Sequence, residues 1–333
     1  MILHPASLGL LAGAAFCLLF LCQAAVVAVR ILTGWNRDDA GEKQLRLERL
    51  THLESALLRL VFALQAASLL LFLYSADLYA HFIPGAMCAT GVLQASPAGW
   101  YVLLVKGLLF FLASGWLLLN RWDRLGDRYP LIRPKNLLLL VILPLAAADA
   151  LLLSRFIGGL RTDLITSCCG VLFESGGTSV AGELAGLPPL TMLAVFYGHA
   201  LVLLLVLFAC LWRPAVVLRG MLAIVALTFF ATSLLALISV FSLYIYELPT
   251  HHCPFDMLQR EYGFIGYPVY LSLLGATLAG CVPLLMAFCR RWAGDGLFPA
   301  GEEKRWLRLC LILLAVLLLL TGWVVLRSAL SLR

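Results

Sequence analysis

From Leu309 to Leu326 the chain reads LCLILLAVLLLLTGWVVL, eighteen residues without a charge. At 1.5 Å per residue such a helix is about 27 Å long, close to the roughly 30 Å hydrocarbon core of a bilayer. The run shows none of the apolar/polar alternation that marks the short strands of a membrane β-barrel. It therefore reads as the core of a spanning helix at 306–327, and seven further segments share its character: 6–29, 53–80, 100–119, 136–157, 191–212, 217–246 and 264–288. Eight transmembrane helices and an all-α integral membrane protein are expected. Composition agrees, at 62% hydrophobic and 13% charged residues, where soluble domains carry about 25% charged. The start, MILHPASLG, lacks a basic n-region and the first apolar run is long enough to span, so no cleavable signal peptide is expected.

Lys and Arg set the orientation. The connections after spans 1, 3, 5 and 7 and their flanks hold 17 of the 24 basic residues, including Arg37, Lys43, Arg124, Arg128, Arg213, Arg290 and Arg305. That side reads as cytoplasmic, which places both termini and the even-numbered connections on the exoplasmic side, the periplasmic face of a bacterial inner membrane. The net charge of +6 is thereby a topology signal, with the lipid bilayer as partner and no nucleic acid.

Two stretches repeat one pattern without a gap. LYAHFIPGAMCATGVLQ runs from Leu78 to Gln94 and LYIYELPTHHCPFDMLQ from Leu243 to Gln259, so Tyr79/Tyr244, Pro84/Pro249, Cys88/Cys253 and Gln94/Gln259 correspond. Ser68-Leu69-Leu70 matches Ser233-Leu234-Leu235 at the same offset, and Arg121-Trp122 resembles Arg291-Trp292. Internal self-similarity of this kind marks a duplicated unit. Four spans separate the copies, so the halves run parallel, unlike the inverted repeats of many transporters. The expected organisation is a four-helix unit over 1–157, an exoplasmic Cys-Cys loop over 158–190, and a second four-helix unit over 191–333, with the exoplasmic loops forming a cap.

Ten cysteines divide by depth. Cys17, Cys22, Cys210, Cys281, Cys289 and Cys310 lie in spans or at cytoplasmic ends, where cysteine behaves as a small hydrophobe. Cys88, Cys168, Cys169 and Cys253 lie in exoplasmic connections, and His251 and His252 directly precede Cys253. Three chemistries fit. Two disulfides would staple the loops of a non-enzymatic membrane-complex subunit or permease, as an oxidising compartment favours. Thiol–disulfide exchange among Cys88, Cys253, Cys168 and Cys169 is the second, with imidazoles raising the thiolate fraction, a quinone as electron acceptor and a periplasmic thiol protein as partner. A metal centre is the third, in which His251, His252, Cys253 and Cys88 hold copper or zinc delivered by a metal-carrying protein. No C-x-x-C occurs in the exoplasmic connections.

Ionisable residues inside spans are costly and by default mark function. Asp77, Lys106 and Asp149 all fall in the outer half of the first unit, and an Asp77–Lys106 pair, a proton path or a quinone headgroup site is expected there. Only His199 lies inside a span as an axial-ligand candidate, which argues against a b-type cytochrome. No phosphate-binding loop or nucleophile elbow appears, and the cytoplasmic connections are too short for a soluble catalytic domain.

Overall fold

A computed structural model describes residues 3–36, 41–126, 129–160, 187–213 and 215–330. Among them there is no strand, and eight helices are long and apolar enough to span a membrane. These are α1 (Pro5–Gly34), α2 (Glu42–Ala80), α4 (Gly99–Asp123), α5 (Ile132–Gly159), α6 (Pro189–Trp212), α7 (Val216–Tyr246), α8 (Gly266–Ala293) and α9 (Glu302–Arg327). A short α3 (Ala89–Gln94) follows Cys88. Each expected span is present, so the chain is an all-helical, polytopic membrane-type protein.

Helix starts follow local chemistry. Proline sits at the first position of α1 and α6, where a missing N–H costs nothing. His4 caps α1, its Nδ1 accepting from the Ala6 N–H at 3.2 Å. One boundary departs from expectation. α2 begins at Glu42, eleven residues before the apolar span, so the polar segment read as a loop is helical from there. Leu47 of that extension packs with Ile31, Trp35 and Ile132, and Gln44 Nε2 donates to Glu48 Oε1 at 3.1 Å along one face. Lateral packing and an i,i+4 bond continue the helix where hydropathy alone stops it.

The chain divides into two compact units. The first holds α1, α2, α4 and α5, together with Trp292–Phe298. Its helices neighbour one another in the cycle α1–α2–α4–α5–α1 around a core of Leu21, Ala28, Phe62, Leu109, Trp116 and Ile142. The Phe62 and Trp116 rings lie 4.4 Å apart. Two buried ion pairs join α4 to α5. Lys106 Nζ donates to Asp149 Oδ2 at 3.0 Å, and Lys135 Nζ donates to Asp123 Oδ2 at 2.7 Å. Lys106 also reaches Ser68 Oγ at 3.3 Å, and Gln65 Nε2 donates to Asp149 Oδ2 at 3.4 Å. The expected Asp77–Lys106 pair is thus replaced by Lys106–Asp149. Ser68 marks the depth of Lys106 on α2, and Asp77 lies nine residues further along, about 13 Å up the axis.

The second unit holds α6 to α9 together with Gly85–Gly91, the segment that carries Cys88. Helix α8 packs through glycines. A Cβ on Gly275 would meet the Leu313 side chain at 2.8 Å, and one on Gly280 would meet Ala226 at 2.8 Å, while Cys310 Sγ donates to the Ala276 carbonyl at 3.4 Å. Small residues permit this close approach in a medium where apolar burial between helices brings little gain. Arg219 grips Glu303 in a bidentate pair at 2.7 and 3.0 Å, and Arg290 joins at 2.9 Å. Helix α7 contains one π turn, Leu237–Phe241, a feature often found beside functional sites.

Candidate functional site

The segment after α7 is held by its own backbone and two tyrosines. Glu247, in the left-handed conformation at φ 55°, ends the helix. Tyr246 Oη donates to the Cys253 carbonyl at 2.6 Å and accepts from the Met257 N–H at 2.9 Å. Tyr270 Oη donates to the Pro254 carbonyl at 2.7 Å. The backbone on either side of Cys253 is therefore fixed, and a short 3-10 turn, Asp256–Leu258, follows. Gln259, the last residue of the twin motif, donates from Nε2 to the Met87 carbonyl at 3.0 Å and ties down the Cys88 segment.

These constraints bring Cys88 and Cys253, 165 residues apart in the chain, to a sulfur–sulfur distance of 3.3 Å. Both residues are 0% exposed. A covalent disulfide requires about 2.05 Å, so no bridge joins them, and the expected two-disulfide staple has no formed bond among the described residues. Cys253 Sγ lies 3.3 Å from Thr90 Oγ1 and accepts from the Phe255 N–H at 3.4 Å. Asp256 completes the group, offering a carboxylate oxygen such that all three ligand-type atoms fall within 4.8 Å of one another. Its Oδ2 pairs with His251 Nε2, and the carboxyl also interacts with the Cys88 and Cys253 thiols.

Burial pushes the Asp256 carboxyl up to about 6, against the hydrogen bond from His251 that favours its ionised form. The same hydrogen bond raises His251 above the ordinary imidazole value. His251 is only partly buried, its side chain 21% exposed, so this carboxyl–imidazole pair leads from the buried sulfurs towards the surface. Burial lowers His252. Its Nδ1 faces the Ile238 carbonyl in the π turn of α7 at 3.0 Å, and since a carbonyl only accepts, that nitrogen carries the proton.

The residues expected from sequence thus fall in three places. Cys88 and Cys253 meet. His251 stands one hydrogen bond back through Asp256, and His252 is directed to α7 instead of to the sulfurs. Asp77, Lys106 and Asp149 belong to the first unit, where Lys106 and Asp149 bind one another. Cys168 and Cys169 lie outside the described residues. His199, on α6, bridges Thr232 Oγ1 at 3.0 Å and Thr228 Oγ1 at 3.2 Å. Asp256 and Thr90 were not anticipated. The signal for Asp256 is present in the sequence as C-P-F-D, a cysteine and an acid three residues apart on a proline-restricted turn.

No family model, curated protein or solved structure matches the chain.

Proposed function

We propose that this protein is a membrane thiol–disulfide redox protein whose working pair is Cys88 and Cys253. The observation that carries the reading is the 3.3 Å approach of two buried sulfurs from distant parts of the chain, beside a carboxyl and imidazole able to take their protons. Closing the S–S bond needs a movement of about 1.2 Å. Oxidation breaks two S–H bonds, forms one S–S bond, and releases two protons and two electrons. A disulfide on a periplasmic thiol protein takes both and becomes a dithiol; a bilayer quinone takes both and becomes a quinol. Cys168 and Cys169 serve in this reading as the relay dithiol, and the exoplasmic face of a bacterial inner membrane as the location.

The duplication belongs to the same proposal. In both copies the glycine that opens the next helix presses on the motif leucine: a Cβ on Gly99 would meet the Leu93 backbone at 2.1 Å, and one on Gly266 would meet Leu258 at 2.9 Å. Equivalent cysteines from two related halves thus supply one sulfur each. Lys106 and Asp149 are assigned a positioning role, since each already occupies the other.

The test equilibrates the purified chain with thiol/disulfide buffers, quenches it in acid, and alkylates it after denaturation. Cys88 and Cys253 should titrate together as a two-electron couple that disappears in Cys88→Ser and in Cys253→Ser. Independent alkylation of both cysteines at every poise would refute the reading.

A further inference from the structure

The same sulfurs have a second use that does not depend on their oxidation. We infer that the reduced site is a binding site for one thiophilic d10 metal ion, held by Cys88 Sγ, Cys253 Sγ and an Asp256 carboxylate oxygen. It shares residues with the redox reading but rests on ligand geometry alone. Three observations converge. The three donor atoms lie within 4.8 Å of one another and all three residues are buried. The buried Asp256 carboxyl interacts with the thiols of both Cys88 and Cys253 as well as with His251, so its oxygens already face the two sulfurs. The outer contacts are those of a ligand set held in place: His251 orients the carboxylate through Oδ2, and Thr90 Oγ1 and the Phe255 N–H address the Cys253 sulfur. Second-layer contacts of this type fix ligand orientation and tune affinity.

The donor chemistry selects the ion. Two thiolates with one carboxylate suit zinc(II) or copper(I) and not magnesium or calcium, which take oxygen donors. With metal–sulfur bonds of about 2.3 Å at the tetrahedral angle, the sulfurs stand about 3.8 Å apart. The present separation of 3.3 Å therefore has to open by about 0.5 Å, whereas disulfide formation has to close it. Metal binding and oxidation are mutually exclusive on this geometry. A bound ion protects the thiols, and the disulfide cannot hold the ion. Binding displaces the thiol protons to solvent and changes no oxidation state. His251 and His252 are not needed as ligands, unlike in the His/Cys set read from sequence, because one is hydrogen-bonded to Asp256 and the other to Ile238.

The experiment uses the full-length chain with its other eight cysteines replaced by serine or alanine, reduced and purified in detergent. Cadmium(II) is the probe, read by thiolate-to-cadmium absorption in the ultraviolet and by elemental analysis after desalting, with zinc(II) and copper(I) as competitors that distinguish the two natural candidates. One ion per chain is expected, abolished in Cys88→Ser and in Cys253→Ser, and weakened roughly 10- to 100-fold in Asp256→Asn. The bound ion should also slow oxidation of the pair. Serine variants that retain full stoichiometry, or a folded parent chain with alkylatable thiols that takes up no ion, overturn the inference. An unchanged affinity in Asp256→Asn removes the carboxylate from the set and overturns it as stated. A couple that titrates normally without binding cadmium leaves the proposed function standing and this inference lost; stoichiometric binding by thiols that never oxidise does the reverse.

Discussion

Replacing Lys106 by Met leaves the Asp149 carboxylate inside the first unit with Gln65 Nε2 at 3.4 Å on one oxygen and no hydrogen-bond partner on the other. Replacing Asp149 by Leu strands the ammonium, which retains Ser68 Oγ at 3.3 Å and the Phe72 ring at 5.8 Å. Both side chains are at most 2% exposed, so neither charge can recruit water without opening the bundle. Breaking such a pair costs about 3–5 kcal/mol, because an uncompensated charge stays buried, whereas replacing both members by apolar groups of similar volume is close to neutral. Lys106→Met and Asp149→Leu should therefore each destabilise by about 3–5 kcal/mol, and the double variant should recover most of that, a coupling of about 3 kcal/mol or more. The assay is reversible unfolding in mixed micelles with rising dodecyl sulfate, followed by circular dichroism. A double variant as damaged as the sum of its parents would refute the pairing.

Three further outcomes follow from individual contacts. Gly99→Ala places a methyl 2.1 Å from the Leu93 carbonyl oxygen and should cost about 1–3 kcal/mol, whereas Gly107→Ala on the same helix meets nothing within 4 Å and should gain up to about 1 kcal/mol; parallel melts in detergent compare them. Glu303→Ala leaves Arg219 and Arg290 without their shared carboxylate and should lose about 2–3 kcal/mol, with Glu303→Gln losing less. Asp256 and His251 both have folded values above their unfolded ones, so each stabilises the fold most fully when protonated. Their contribution is complete below the unfolded carboxyl value and is lost as pH rises through about 6 and then through the raised imidazole value. Local stability around the site, read by hydrogen exchange of the Cys253–Leu258 backbone, should fall over that window, and Asp256→Asn should flatten both parts of it, since Asp256 also raises His251.

The spans were legible because a bilayer imposes one length on every helix, and uncharged runs such as Leu309–Leu326 satisfy it only as helices. The start of α2 was not, because Glu42 to His52 is polar and its helicity comes from Leu47 packing on Trp35 and Ile132, a tertiary fact. The depth of Lys106, Asp77 and Asp149 could be ranked from sequence, but which two share a face depends on helix rotation, and Asp149 rather than Asp77 faces the lysine. Lys135 and Asp123 went unrecognised as a buried pair, since charges flanking a short connection read as topology signals. At the site, the twin motif located both cysteines, whereas Asp256 arrives beside them only because Tyr246 and Tyr270 hold the turn.

The twin motif makes the two sulfurs correspond in sequence, yet their surroundings are unequal. In its register Ala86 stands where His251 does, Gly91 where Asp256 does, and Thr90 where Phe255 does. The acid and the imidazole come solely from the later copy, and both Thr90 and the Phe255 N–H address Cys253 Sγ. A hydrogen-bonded sulfur is the better placed to carry negative charge, whether as attacking thiolate or as leaving group. On the proposed function, Cys253, addressed by Thr90 and the Phe255 N–H, is the sulfur expected to exchange with substrate, and Cys88 the one that closes the internal disulfide. Treating Cys88→Ser with a small aromatic disulfide should accumulate a mixed disulfide on Cys253, with one equivalent of aromatic thiol released. Cys253→Ser should leave Cys88 labelled more slowly, since Thr90 Oγ1 and the Phe255 N–H address the Cys253 sulfur. Mass spectrometry of the labelled peptides reads the site directly. Equal labelling of the two variants would make the sulfurs equivalent and assign Asp256 and His251 to the metal-binding state alone.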